Sequence, residues 1–197
     1  MLPINKIAPL VYFLVHIIIS GQALDNENNK KVVCYFGSWS KYRPGDGKFD
    51  VENIDPHLCT HYIYSFAGLD GSEFTIKALD AFNDLPNNWG KNAYGRFTNI
   101  KKENPNAKTL LAIGGWNEGS INYSKMVSDP AKREKFIESV IDLLEEHGFD
   151  GLDLDWEYPA NRGGTPSDKQ NFVDLLKEMR EVIIYVYLIV IVFYLYI

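Results

Sequence analysis

The chain has 197 residues, 46% of them hydrophobic, which is enough for one domain with a substantial core. Its net charge is −6 and it has no block of Lys or Arg, which argues against nucleic acid as a partner and favours a neutral polymer.

In chain order, the first stretch is Met1–Ala23. It has a lysine at position 6, an apolar run from Ile7 to Ile19, and small residues at Ser20, Gly21 and Ala23. That pattern predicts a secretory signal (1–23) cleaved near Ala23, hence a secreted, extracellular protein; an uncleaved anchor is the alternative. Cys34 and Cys59 are the only cysteines. In a secreted chain they predict one disulfide, closing a loop of about 25 residues and contributing ~2–4 kcal/mol. No metal is expected, since His16, His57, His61 and His147 show no ligand spacing.

Lys31 to Trp39 reads as a buried strand, and Asp50 to His57 as a short helical turn. Thr60 to Gly68 is a second strand, rich in aromatic and β-branched residues. Glu73 to Gly90 is polar and loop-like. A helix is predicted from Lys91 to Glu103, with Tyr94, Phe97 and Ile100 on one side and Asn104-Pro105 ending it. Thr109 to Trp116 is a third strand with two glycines near its end. Asn122-Tyr123-Ser124 is an acceptor sequence for N-glycosylation.

Asp129 and Pro130 start the best-marked helix, Ile137, Val140, Ile141 and Leu144 form its apolar stripe, and Gly148 ends it. A further helix begins at Ser167 with Gln170 completing a capping box, and buries Phe172, Leu175, Leu176 and Met179. The sixteen residues from Val182 to Ile197 are all apolar or Tyr, short of the ~20 that span a bilayer. This tail (182–197) is expected to be foreign to the fold of residues 24–181; a membrane partner follows only if it is a genuine anchor.

Between the last two helices lies Gly148 to Pro159, on which the functional reading turns. Asp153, Asp155 and Glu157 project from one face of a predicted strand, with Leu152, Leu154 and Trp156 on the other. Three carboxyls this close cannot all stay ionised, so their proton affinities are forced apart, as acid catalysis near neutral pH requires. Asp150 lies off that face by parity, which leaves it either a hydrogen bond where the strand begins or a part in the site. An EF-hand starting at Asp153 needs Gly and Glu where Tyr158 and Gly164 stand. Asp153-Leu-Asp155 as the metal-binding pair of a nucleotide-sugar transferase is an isolated, weak signal.

Continuous apolar strands alternating with amphipathic helices predict an α/β fold with a parallel sheet covered by helices. The first strand is not followed by Gly-x-Gly-x-x-Gly or a phosphate loop, which disfavours a doubly wound nucleotide fold. The expectation is a (β/α)8 TIM-barrel type of which about the first four βα units are present.

Asp150-x-x-Asp153-x-Asp155-x-Glu157 resembles the signature of the family 18 glycoside hydrolases, the chitinase family. Ile113-Gly-Gly-Trp-Asn117 is similar to the family's third-strand motif, and Cys34-Tyr-Phe with Trp39 and Tyr42-Arg-Pro44 to the first-strand region of animal chitinases. The resemblance runs from about Lys31 to Arg180, and in relatives the paired cysteines form a disulfide.

It implies retaining hydrolysis of β-1,4-linked N-acetylglucosamine polymers, chitin or chitooligosaccharides, with the substrate supplying its own nucleophile and no cofactor. Glu157 would be the general acid, Asp155 would orient the substrate acetamide, and Asp153 would share a proton with Asp155. Trp39 and Trp116 would stack on sugars, with Tyr35, Phe66 and Tyr158 lining the cleft. The family's later Met-x-Tyr-Asp motif and floor tryptophan are absent, which implies weak or no activity in this chain. Its alternative role is a non-hydrolytic chitin-binding chitinase-like protein.

Overall fold

The computed structural model describes residues 30–186. The expected signal segment (1–23) and residues 187–197 of the apolar tail lie outside the described residues.

The sheet contains β1 (Val33–Gly37), β2 (His61–Leu69), β3 (Ile76–Ala78), β4 (Lys108–Gly114) and β5 (Gly151–Asp155). Four of these run parallel in the order β1-β2-β4-β5, with β3 antiparallel on the end of β2. Each parallel strand adds beside its predecessor and the order never reverses, as for consecutive strands of a (β/α)8 barrel.

Strand pairing separates the two faces. Phe36, Tyr64, Leu111 and Leu152 form one cross-sheet row facing the helices. Tyr94 and Phe97 pack on it from α2 (Ala93–Thr98), and Phe136, Val140 and Leu144 from α5 (Pro130–His147). The opposite face carries the rows Tyr35–Ile63–Leu110–Gly151 and Gly37–Ser65–Ala112–Asp153. Its apolar cluster is small: Ile63, Leu110 and Ala112, with Val33 and Phe66 against them. Most of the stabilising apolar burial therefore sits between sheet and helices.

The expected α5 forms with Asp129 accepting from the Ala131 N–H (3.0 Å) and Gly148 left-handed at φ 73° beyond its end. Residues 93–103 form two pieces, α2 and α3 (Ile100–Glu103), rather than one helix. Asn99 between them stays helical (φ −66°, ψ −12°), so the chain tightens there rather than breaking. Asn92 caps α2 by accepting from the Gly95 N–H.

The segment read as a loop contains β3 and the single turn α1 (Ala81–Asp84), capped by Asp80. Helix α4 (Ile121–Val127), with Tyr123, Met126 and Val127 buried, was not foreseen. Asn122 of the sequon is half-buried in its first turn, with its amide against Gly71.

Helix α6 runs Asp168–Val186, so the first five residues of the apolar stretch continue it. Leu175 and Met179 are buried, with Phe172 packed against them. The Ser167–Gln170 capping box gives way to other partners: Ser167 pairs with Thr165 and Gln170 donates to Asp174. Arg133 on α5 holds α6 through two hydrogen bonds to Glu178 (2.8 and 2.7 Å). Among the described residues, no helix is long and apolar enough to cross a membrane.

Asp150 lies at the start of β5, where the Thr109 N–H and hydroxyl donate to it (2.8 and 3.1 Å) and Lys101 pairs with it (3.1 Å). Of its two readings, the structure shows the bond at the strand's beginning.

Cys34 on β1 and Cys59 before β2 form a disulfide with Cα atoms 6.2 Å apart. Replacing both by Ala is expected to lower unfolding free energy by ~2–4 kcal/mol in urea titrations. A loss under about 1 kcal/mol would mean that the loop is held mainly by its own contacts, such as Ser40 donating to the Phe49 carbonyl (2.6 Å).

Candidate active site

The inward face of β5 presents Asp153 and then Asp155, and Glu157 follows two residues beyond the strand's end. Their predicted parity holds: Leu152 and Trp156 are buried among the helices, Leu154 packs against that core, and the acids take the other face. Trp156 is fixed by stacking on Tyr123 (5.6 Å), edge contact with Phe172 (5.5 Å) and donation from its indole N–H to Ser120 Oγ (2.9 Å). An anchored Trp156 fixes the backbone directions of Asp155 and Glu157 on either side.

The three acids form a graded series. Asp153 is 1% exposed and accepts from the Tyr35 hydroxyl at 2.8 Å. Burial pushes its carboxyl up to about 6; the Tyr35 bond works against that rise and the Asp155 charge adds to it. Asp155 is also raised, first by burial, then by the charge of Glu157 and the hydrogen bond their side chains share. A hydrogen bond between two carboxyl groups needs one proton between them. The cluster therefore holds a proton where an isolated carboxylate would not.

Glycines beside the acids allow close approach. Gly114 pairs with Asp155 at φ 116°, and a Cβ there would come 2.3 Å from the Asp155 carbonyl oxygen. Gly115 donates to that oxygen (2.8 Å) and lies against the Phe66 ring. Any side chain at Gly114 would push β4 and β5 apart at the level of Asp155.

Of the five aromatics of interest, Trp39, Trp116 and Tyr158 lie just beyond the carboxyl ends of parallel strands, Phe66 lies in the second half of β2, and Tyr35 is the middle residue of β1. Tyr35 reaches Asp153 from β1. Trp39 lies on a 3₁₀ turn (Ser38–Tyr42) rather than on the strand, and stacks on Phe66 with centroids 6.1 Å apart and planes 5° apart. Trp116 stands beyond β4 beneath the Arg162 guanidinium, 3.8 Å from its ring centroid. Tyr158 is partly exposed, and its carbonyl accepts from Ser120 Oγ (3.0 Å).

Sequence reasoning missed the residues that hold this frame. Asp168, fully buried, accepts from Ser124 Oγ (2.6 Å), Thr165 N–H (2.8 Å) and Oγ1 (2.9 Å), and Ala160 N–H (3.3 Å). Glu118 accepts from the Leu69 N–H (2.9 Å) and the Tyr123 hydroxyl (3.3 Å). Arg162 donates to the Glu157 carbonyl (3.0 Å). The buried indole N–H of Trp156, which required an acceptor, was a signal for Ser120 alone; Asp168, Glu118 and Arg162 gave none.

A family model described as Glycosyl hydrolases family 18 matches residues 31–192. The chain is 50% identical over 154 residues to a probable chitinase 2 of Drosophila melanogaster, a match covering 78% of this chain and 32% of the relative. Among solved structures, it is similar to the Ostrinia furnacalis Group IV chitinase in complex with allosamidin at TM-score 0.76 and 46% identity, covering 80% of this chain and 41% of that one. It is also similar to human YKL-39, described as a pseudo-chitinase with retained chitooligosaccharide binding properties, at TM-score 0.67 and 36% identity, covering 80% and 39%. The chain thus spans about a third of the length of the Drosophila relative. Its parallel sheet with outer helices is part of a TIM-barrel type of fold, as the strand order implies.

The raised Asp153 fixes a sign for stability against pH. Its folded pKa of about 6 lies above its ordinary 3.8, so between those values the native chain binds more protons than the unfolded one. Stability from this group is full below pH ~4 and is lost as pH rises through about 6, by up to ~3 kcal/mol. Asp153→Asn is expected to flatten that fall in denaturant midpoints measured across the window. An unchanged slope in the variant would show that Asp153 does not set it.

Proposed function

This chain belongs to the family 18 glycosyl hydrolases, and on that premise we propose that it acts on β-1,4-linked N-acetylglucosamine polymers by substrate-assisted, retaining hydrolysis. The observation that carries this reading is the hydrogen-bonded Asp155–Glu157 pair backed by a buried, high-pKa Asp153.

Glu157, at the outer end of the series, gives its proton to the glycosidic oxygen as the bond to the anomeric carbon breaks. The acetamido oxygen of the same sugar attacks that carbon from the opposite face and forms an oxazolinium ion. Asp155 accepts from the acetamide N–H and balances the positive charge, while Asp153, bonded to Tyr35, takes up or returns the proton that Asp155 sheds. Glu157, now a carboxylate, removes a proton from water as that water opens the oxazolinium, restoring the original anomeric configuration. Attack by a group already attached to the substrate can supply roughly 7–11 kcal/mol of the barrier.

Trp39, Phe66, Trp116, Tyr35 and Tyr158 offer flat apolar surfaces suited to pyranose rings. The signal-like Met1–Ala23 stretch and the Cys34–Cys59 bridge support a secreted, extracellular role, where disulfides persist. Binding without cleavage is the second reading, favoured by the likeness to a pseudo-chitinase and opposed by the presence of Glu157.

Incubation with the N-acetylglucosamine hexamer is expected to yield shorter oligomers with β-configured new ends, read by NMR. Glu157→Gln should lower the rate about 100-fold or more while leaving binding intact. Binding of the hexamer with no product from the unaltered chain would establish the non-hydrolytic reading. Neither binding nor product would overturn both.

A further inference from the structure

Arg162 lies on the segment joining β5 to α6 and has no part in the proposed reaction. Its guanidinium covers one face of Trp116, with Cζ 3.8 Å from the ring centroid, while Nη1 donates to the Glu157 carbonyl at 3.0 Å. Its backbone is left-handed at φ 50°, as are Ala160 (φ 68°) and Gly163 (φ 90°). Non-glycine residues hold that conformation only where their surroundings over-determine it. Here the surroundings are the buried Asp168 carboxylate, which takes hydrogen bonds from Ala160 and Thr165 on either side of Arg162. The side chain is therefore delivered to the indole by a fixed loop. Trp116 remains 61% exposed under this contact, so its other face is open.

We infer that Arg162 sets which sugars Trp116 accepts: it backs one face of the indole and holds a positive charge behind a sugar stacked on the other, so that neutral N-acetylated units bind there and ammonium-bearing, deacetylated units are disfavoured. This rests on the sugar site proposed above. The Asp155–Glu157 pair, with one proton between its two carboxyl groups, keeps a negative charge that attracts an ammonium group, so without Arg162 the site would favour deacetylated units on charge alone. Two stacking distances place the guanidinium ~7 Å from the sugar, where an unscreened like charge lowers affinity about threefold to tenfold. A planar, delocalised cation is what this contact needs, because a Lys ammonium cannot lie flat on the ring while keeping the bond to Glu157.

The test titrates the full chain with the N-acetylglucosamine tetramer and with its fully deacetylated counterpart, at low salt and mildly acidic pH, following tryptophan fluorescence. Arg162→Gln is expected to lower the ratio of the two affinities threefold to tenfold, chiefly by tighter binding of the deacetylated tetramer. Arg162→Lys, which keeps the charge but not the flat contact with its bond to Glu157, should give a ratio between those of the unaltered chain and the Gln variant, and high salt should bring the unaltered chain towards the Gln variant. An unchanged ratio in Arg162→Gln, or an equal change for both ligands, would overturn the assignment. An unaltered chain that binds neither tetramer would instead sink the sugar site itself, and the inference with it.

Discussion

The hydrogen bond from Tyr35 to Asp153 joins the two outer strands of the parallel sheet, with β2 and β4 between them. Three strand intervals at ~4.8 Å separate their backbones by roughly 14 Å in a flat sheet, and side chains standing perpendicular to it could not meet. The bond forms because the sheet curls towards that face. Along the row to which Asp153 belongs, the intervening residues are Ser65 and Ala112. Larger side chains there would fill the concavity that the Tyr35 ring crosses. One bond of 2.8 Å thus depends on strand order, curvature and two small residues together.

Beyond the strand ends, the site is held by groups with no chemical part of their own. Ser120 cannot cap α4, because its hydroxyl is spent on the Trp156 indole and the Tyr158 carbonyl. Asp168 accepts four hydrogen bonds from the segment after Glu157 and its neighbour α4, the one from Ser124 buried and the other three part-buried. Gly114 and Gly115 close the gap between β4 and β5 at the level of Asp155. Positioning is achieved by fully satisfied buried polar groups, which fix geometry more tightly than apolar contact does.

Much of this was legible in the sequence because it rests on periodicity. The parity of Asp153, Asp155 and Glu157 survives past the strand's last residue, since Trp156 is buried among the helices and the Glu157 side chain bonds that of Asp155 on the other face. Helix α5 followed from Asp129, Pro130 and Gly148, each a terminus signal with a mechanism. Strand β3 and helix α1 were not legible: three or four residues carry no period, and both form by pairing with β2 or by the Asp80 cap. Trp39 read as a strand residue, yet the chain turns at Ser38 and brings its ring onto Phe66. Arg162 gave no local signal, because its partners Trp116 and the Glu157 carbonyl meet only through the loop's left-handed turns.

The two faces of the sheet divide stability from chemistry. A carboxyl held near pKa 6 inside the protein is a cost to folding at neutral pH, and among the described residues Asp153 has no cationic partner to relieve it. The inward cluster of Ile63, Leu110 and Ala112 is small and offsets little beyond that cost. Most of the stabilisation comes from the helix side, where Tyr64, Phe97, Phe136 and Leu111 are each fully buried, and where burying one such side chain contributes roughly 1.5–3 kcal/mol. Because strand alternation ties the faces residue by residue, a one-residue slip of β5 would send Leu152 into the cleft and Asp153 into the helices. The register that builds the core is therefore the same one that aims the acids, and neither can change without the other.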